Sequence, residues 1–206
     1  MAKITALRTG RGKRVNIFLD GRFAFSLAAD LAVKEGLQIG QELSQSGSEE
    51  LVKADGFHRC LKAATYYLSY RPRSESELRE RLGRHSFVND TQRAVITKLK
   101  EQGLVDDLAF AQYWSYNRES FSPRSRWLTE LELRRKGVAN EIIAEVVKDI
   151  NDDDSAYQAA LNKSRSLYRS EYEDFRRRLG GYLRRRGFSY GVTNHTVERL
   201  WQEQGR

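Results

Sequence analysis

Two short apolar runs open the chain, Val15-Asn16-Ile17-Phe18-Leu19 and Phe23-Ala24-Phe25-Ser26-Leu27, and they flank Asp20-Gly21. Asp and Gly tolerate the positive φ of a type I′ turn, so this pattern predicts a β-hairpin. Ile4 to Leu7 supplies a third strand. A strict two-residue turn sets Phe18 opposite Phe23 and Ile17 opposite Ala24, which leaves both faces partly apolar. Either something covers each face or the loop is longer, and the register stays open between the two. Gly36-Leu37-Gln38-Ile39-Gly40 ends a short helix over Ala28 to Glu35, and Ser44 to Ser48 reads as a polar linker.

From about Ser48 onward the apolar positions follow the helical period, and they repeat. The only two prolines stand in Pro72-Arg73-Ser74 and Pro123-Arg124-Ser125, 51 residues apart. Each motif starts a polar-capped helix, Ser74 with Glu77 in a capping box and Ser125 with Leu128. Arg135-Lys136-Gly137-Val138 recurs as Arg185-Arg186-Gly187-Phe188. After each glycine an apolar series follows at one offset: Val138, Ile142, Val147, Ile150, then Phe188, Val192, Val197, Leu200. Phe87, Val95, Ile96 and Leu99 carry the series into an earlier unit, and Leu82, Leu133 and Leu183 align beside it, although Leu78 falls on Thr129. Such spacing places each series on one helical stripe. The expected architecture is mostly α: an elongated array of three tandem three-helix repeats, each helix-turn-helix-like, with a small N-terminal β-hairpin extension. The expected boundaries are 1–47 for the extension, 48–105 for repeat one with its lead-in, 106–151 for repeat two and 152–206 for repeat three.

Composition changes the picture in three ways. The apolar fraction is 39%, below the roughly 45–50% of ordinary globular chains, which favours an elongated body over a single thick core. The formal charge is +8, which attracts polyanions or acidic protein surfaces. Cys60 is the only cysteine, so internal disulfides and cysteine-based zinc sites are excluded. His58, His85 and His195 match no metal-ligand spacing, and no apolar run is long enough to span a bilayer. A cytoplasmic protein without a cofactor is expected.

Three collinear segments resemble signatures of the RecX regulatory proteins. They are Arg71-Pro72-Arg73-Ser74-Glu75-Ser76-Glu77-Leu78-Arg79-Glu80-Arg81-Leu82, Gln102-Gly103-Leu104-Val105-Asp106-Asp107-Leu108-Ala109-Phe110-Ala111 and Leu131-Glu132-Leu133-Arg134-Arg135-Lys136-Gly137-Val138. The chain departs from the pattern at Phe121-Ser122-Pro123-Arg124-Ser125, where many members carry a Gly-containing segment. The resemblance implies a non-enzymatic monomer that binds the RecA recombinase filament and restrains its recombination and ATPase activities, with single- or double-stranded DNA as a weak or filament-associated partner. The alternative is a stand-alone helix-turn-helix-like DNA-binding protein.

The candidate contact residues are arginines, because guanidinium groups bind phosphate and carboxylate in bidentate fashion. Arg177, Arg178, Arg184 and Arg185 share a broad face if Asp174 to Arg186 is one helix, and Arg186 extends the run. A solvated face, with Gly180-Gly181 ending the helix early, is the bland alternative. Arg134, Arg135 and Lys136 occupy the corresponding place in repeat two, beside Arg124 and Arg126. Tyr66, Tyr67, Tyr70, Tyr113, Trp114 and Tyr116 have the look of stacking platforms for single strands, but helical spacing turns half of them to the core. Trp114 and Trp201 read as core, and Tyr70, Tyr113 and Tyr116 stay open. Thr9-Gly10-Arg11-Gly12-Lys13-Arg14 has the composition of a phosphate loop but precedes a strand, so it reads as a mobile basic loop. Asp106-Asp107 and Asp152-Asp153-Asp154 suit helix N-termini.

Overall fold

The computed structural model describes residues 1–203, so the last three positions of the expected third repeat lie outside the described residues. These residues form two compact units, 1–71 with 78–102, and 72–77 with 103 onward.

The first unit opens with strands β1 (Ala2–Gly10), β2 (Arg14–Leu19) and β3 (Arg22–Ala28), helix α1 (Ala29–Lys34) and the short strand β4 (Glu42–Leu43). The strands make one antiparallel sheet in the order β3-β2-β1-β4. Asp20 and Gly21 have φ values of 46° and 77°, the two left-handed positions of the expected turn. The simple register fails one step further in. Phe18 faces Phe23, but Ile17 faces Phe25, because Ala24 bulges out of β3. Thr5 bulges from β1 in the same way, and its hydroxyl accepts the Gly21 N–H at 2.9 Å. A bulge adds one residue to a strand, so everything beyond it changes face. Phe25 and Leu27 thereby join Ile17 and Ile4 on the inner side, and Phe18 and Phe23 pair edge-to-face on the outer side at 5.9 Å. The apparent conflict of two apolar faces is resolved by the bulge.

Helix α2 (Gln45–Leu68) covers the inner face through Leu51. It begins inside the stretch expected to be a linker, because Ser44 caps it and accepts the Gly47 N–H at 3.0 Å. Asp55, 3% exposed, ties α2 to the sheet: it takes Arg14 at 3.0 Å, Arg59 at 2.9 Å and the Ala28 N–H at 2.7 Å. Helix α4 (Asn89–Glu101) packs on α2 through Val95, Ile96 and Leu99, with Cys60 and Ala64 buried on the α2 side. Burial pushes the Cys60 thiol up to about 11.

Helix α3 (Glu75–Arg84) starts in the second unit and ends in the first. The second unit continues with α5 (Asp107–Phe121), α6 (Arg126–Arg135), α7 (Asn140–Val147), α8 (Asp152–Arg165), α9 (Tyr172–Arg185) and α10 (Tyr190–Glu203). From α2 onward the described helices therefore fall into three groups of three. Most of the repeating apolar series is buried in its group: Val95, Ile96, Leu99, Val138, Val147, Phe188, Val197 and Leu200. Phe87, Ile142, Ile150 and Val192 are half-buried, and Ile143 takes the core position beside Ile142. Leu82, Leu133 and Leu183 are fully buried, and Thr129 sits buried where its counterparts are Leu78 and Leu179. Ala111 and Ala160 are buried on the first helices of their groups, where the absence of a long side chain lets neighbouring helices approach. No helix among the described residues is long and apolar enough to cross a membrane.

The two sequence motifs meet. Ser74 Oγ donates to the Lys136 carbonyl at 2.6 Å, and the Ser125 N–H donates to the Arg186 carbonyl at 3.0 Å. Each serine also caps its own helix, accepting Glu77 N–H and Leu128 N–H at 3.1 Å. The first N–H of each capped helix is taken by an aspartate of the next group: Glu75 N by Asp107 at 2.8 Å, Arg126 N by Asp152 at 2.7 Å. Asp106 and Asn151 meanwhile cap α5 and α8 themselves. Pro-Arg-Ser and Lys/Arg-Gly are thus the two halves of a joint that occurs twice.

The glycine half is a Schellman stop. Gly137 and Gly187 have φ values of 75° and 87°, and Val138 N–H and Phe188 N–H reach back to the Leu133 and Leu183 carbonyls at 3.2 and 3.4 Å. Repeat one carries Ser86 at the matching place, with φ 57° and an exposed side chain. A left-handed non-glycine residue costs roughly 1–2 kcal/mol. Replacing Ser86 with Gly is therefore expected to stabilise the first unit by about 1 kcal/mol, read as slower amide exchange in α3 and α4. Unchanged protection would contradict it.

Candidate interaction surface

Helix α9 is continuous through Gly180-Gly181, so the early-ending alternative does not hold. Phe175, Leu179, Gly180 and Leu183 are buried, against Ala156, Ala160, Val197 and Leu200. Arg177, Arg178, Gly181, Arg184 and Arg185 follow at i, i+1, i+4, i+7 and i+8, which sets all five on the face turned away from that core. All four arginines are exposed, and Gly181 leaves the centre of their face without a side chain. The Arg185 guanidinium lies 3.5 Å from where a Gly181 Cβ would stand. Asp174 meets this face locally, against Arg177 at 2.5 Å. At its edge, hydrogen bonds from Asn194 and Arg176, then the charges of Arg176 and Arg184, hold the exposed Tyr190 phenol below the usual tyrosine value.

The remaining candidates have other work. Arg186 donates to Ser122 Oγ and to the Pro123 carbonyl, both at 3.0 Å, so the Phe121–Ser125 departure lies inside a joint. Lys136 does the equivalent in the other joint, with Glu77 at 2.6 Å, and its ammonium sits 4.2 Å from the Trp114 ring centre. Arg126 closes the end of α7 through the Lys148 and Ile150 carbonyls at 2.7 and 2.8 Å. Arg124 pairs with Glu132. Arg134 meets Glu130 and Asn140 at 3.3 Å, and Arg135 is exposed.

A polar cluster that sequence reading missed lies around Glu132, which is 12% exposed. It accepts Trp114 Nε1 at 2.8 Å and Arg118 Nε at 2.7 Å in addition to Arg124. Burial lowers the Arg118 guanidinium below its usual value. For Arg124, burial comes first, followed by repulsion from Arg118 and Arg186. Trp114 and Arg118 stand four residues apart on α5, a spacing that places both on one helix face. Among the described residues no group of three His, Cys, Asp or Glu is arranged to hold a metal.

The class this fold defines is a tandem helical-repeat protein with an N-terminal β-sheet unit. Three families match along it: the regulatory protein RecX N-terminal domain over 2–44, the first RecX three-helix domain over 60–99 and the second over 106–147. The regulatory protein RecX of Clostridium perfringens (strain SM101) is 30% identical over 97% of both chains. That of Lactobacillus gasseri is 30% identical over 97% of this chain and 75% of its own. A crystal structure of regulatory protein RecX superposes with a TM-score of 0.66 at 24% identity, covering 96% of this chain and 100% of that one. RecX from Lactobacillus salivarius gives 0.59 at 22%, over 71% and 97%. The chain belongs to the RecX family of regulatory proteins.

Proposed function

We propose that this protein binds the RecA recombinase–DNA filament and inhibits its recombination and ATPase activities in DNA repair. It acts as a monomer in the cytoplasm, without an enzymatic step. Family membership supplies the regulatory role. The observation that carries the contact is the exposed arginine face of α9, where Arg177, Arg178, Arg184 and Arg185 present planar donors to an anionic partner. Stand-alone groove reading is less well supported, because α7, the third helix of its group, opens with Asn140 and Glu141 and continues with Glu145. The test is the single-strand-dependent ATPase and strand exchange of the cognate RecA. Inhibition is expected at fewer than one chain per RecA protomer. Unchanged turnover at saturating protein would refute the proposal.

A further inference from the structure

The outward face of α2 carries a basic half and an aromatic half in succession. Arg59, Lys62 and Tyr66 follow at i, i+3 and i+7, and Tyr70 continues the line just beyond the helix end. Beside the basic half, the β1–β2 turn turns back through Gly12 and Lys13, both at positive φ, and the Lys13 carbonyl accepts the Ala29 N–H at 3.0 Å. Lys13 and Arg14 thereby join His58, Arg59 and Lys62 around a cleft of about 520 Å³. The acidic groups facing it are few. Asp30 lies 3.4 Å from His58, and Asp55 is buried beneath, already holding Arg14 and Arg59. Lys13 and Lys62 stand exposed at the rim. A shallower groove of about 870 Å³ begins at the same His58, Arg59 and Lys62 and runs on to Tyr66 and Ser69. Tyr66 in the groove and Tyr70 just past its end are each 65% exposed, edge-to-face at 5.2 Å and joined through their hydroxyls.

We infer that this face of α2 is a seat for single-stranded DNA, separate from the arginine face of α9. The helical rise separates Lys62 from Tyr66 by roughly 6 Å along the axis. Phosphates are held at Lys13, Arg59 and Lys62, and unpaired bases stack on Tyr66 and Tyr70. A positive groove running into aromatic platforms is the arrangement that takes single strands, whereas duplex bases offer no free π-face to the tyrosines. The basic loop at Gly10–Arg14 gains a role without any nucleotide-binding helix. Choosing DNA over RNA rests on the filament reading above; the site itself does not.

The test is anisotropy of labelled oligo(dT), duplex DNA and oligo(rU) with the full chain across a salt series. Lys13→Glu with Lys62→Glu is expected to weaken oligo(dT) binding at least tenfold and to flatten the log–log salt slope by about 1.4, at about 0.7 per phosphate contact on single strands. Tyr66→Ala with Tyr70→Ala is expected to weaken it by about tenfold with the slope retained. Neither pair should change duplex binding. In the unmutated chain, iodouracil-substituted oligo(dT) should cross-link to Tyr66 or Tyr70, a readout that needs no variant to fold. Retained oligo(dT) affinity in both folded variants overturns the site, as does cross-linking confined to other residues. Equal affinity for oligo(rU) overturns the commitment to DNA. Loss of binding to DNA-free RecA in the lysine variant, with oligo(dT) binding intact, makes the partner a protein and also overturns it. RecA inhibition that survives in variants blind to oligo(dT) keeps the two readings apart.

Discussion

Replacing Gly187 with Ala is expected to destabilise the second unit by about 2–5 kcal/mol, from two costs that fall on one methyl group. The first is conformational: at φ 87° an L-residue sits in the left-handed region, at roughly 1–2 kcal/mol. The second is contact. The added Cβ would stand 2.5 Å from Ser125 Oγ and 2.7 Å from Leu128 Cβ, inside the van der Waals limit, and Leu128 Cβ cannot move without its helix. Overpacking of that kind costs about 1–3 kcal/mol. Gly137→Ala repeats the experiment at the other joint, where the Cβ would meet Ser76 Cβ at 2.4 Å. Gly103→Ala is the internal control. Its φ of 67° is also left-handed, yet its Cβ would point into open space, so only the conformational cost of about 1–2 kcal/mol should appear. All three tryptophans, Trp114, Trp127 and Trp201, belong to the second unit, so tryptophan fluorescence, excited where tyrosine does not absorb, reads that unit in a denaturant titration. Equal losses for Gly187→Ala and Gly103→Ala would show that the joint does not press on its glycine.

That joint also shows how far a single sequence can be read. Its halves are visible separately, because Pro-Arg-Ser recurs after 51 residues and Arg-Lys-Gly returns as Arg-Arg-Gly after 50, and each has a local meaning, a helix start and a helix stop. Their contact was not visible. Ser74 and Lys136 are 62 residues apart, and no local propensity links a cap to a carbonyl at that distance. The same reason hid the roles of Lys136 and Arg186. As charges in a basic run they looked interchangeable with Arg135 and Arg185, but the residue at the helix C-cap turns back into the joint and its neighbours turn out. Asp107 and Asp152 stand in the first turns of α5 and α8, as the dipole argument expects, and they also accept the first N–H of another helix, which no local rule foretells.

In the first unit the turn at Asp20-Gly21 was legible and the register was not. Bulges at Thr5 and Ala24 follow from the need to gather Ile4, Ile17, Phe25 and Leu27 on one side, which is a property of the packed sheet. Ser44 to Ser48 reads as a polar linker by composition, since Gly and Ser are poor helix formers. The helix forms there because Ser44 caps it and Leu51 is buried against the sheet two turns later.

Replacing Arg177, Arg178, Arg184 and Arg185 together with Ala is expected to weaken binding to RecA–single-strand filaments by about a hundredfold, close to 2.8 kcal/mol, which four lost charge-assisted contacts can supply even at a wet interface. Folding should be nearly untouched. None of the four is buried, the Asp174–Arg177 pair is a surface pair, and alanine is the better helix former, so thermal unfolding should move little. The salt series then tells phosphate from carboxylate. If the arginines meet phosphates, binding of the unmutated chain to DNA alone falls steeply with salt, at about −0.7 in the log–log slope per phosphate on single strands, and the variant's slope is shallower. If they meet acidic residues of RecA, binding to bare DNA hardly changes while filament affinity is lost. Unfolding of the variant would mean that the runs pack internally. Full filament binding by a folded variant would move the contact to repeat two, and there the choice is narrow: Arg124, Arg126 and Lys136 are engaged with Glu132, the end of α7 and Glu77, so the exposed Arg135 is the residue to change next, followed by Arg134 with its surface pair to Glu130.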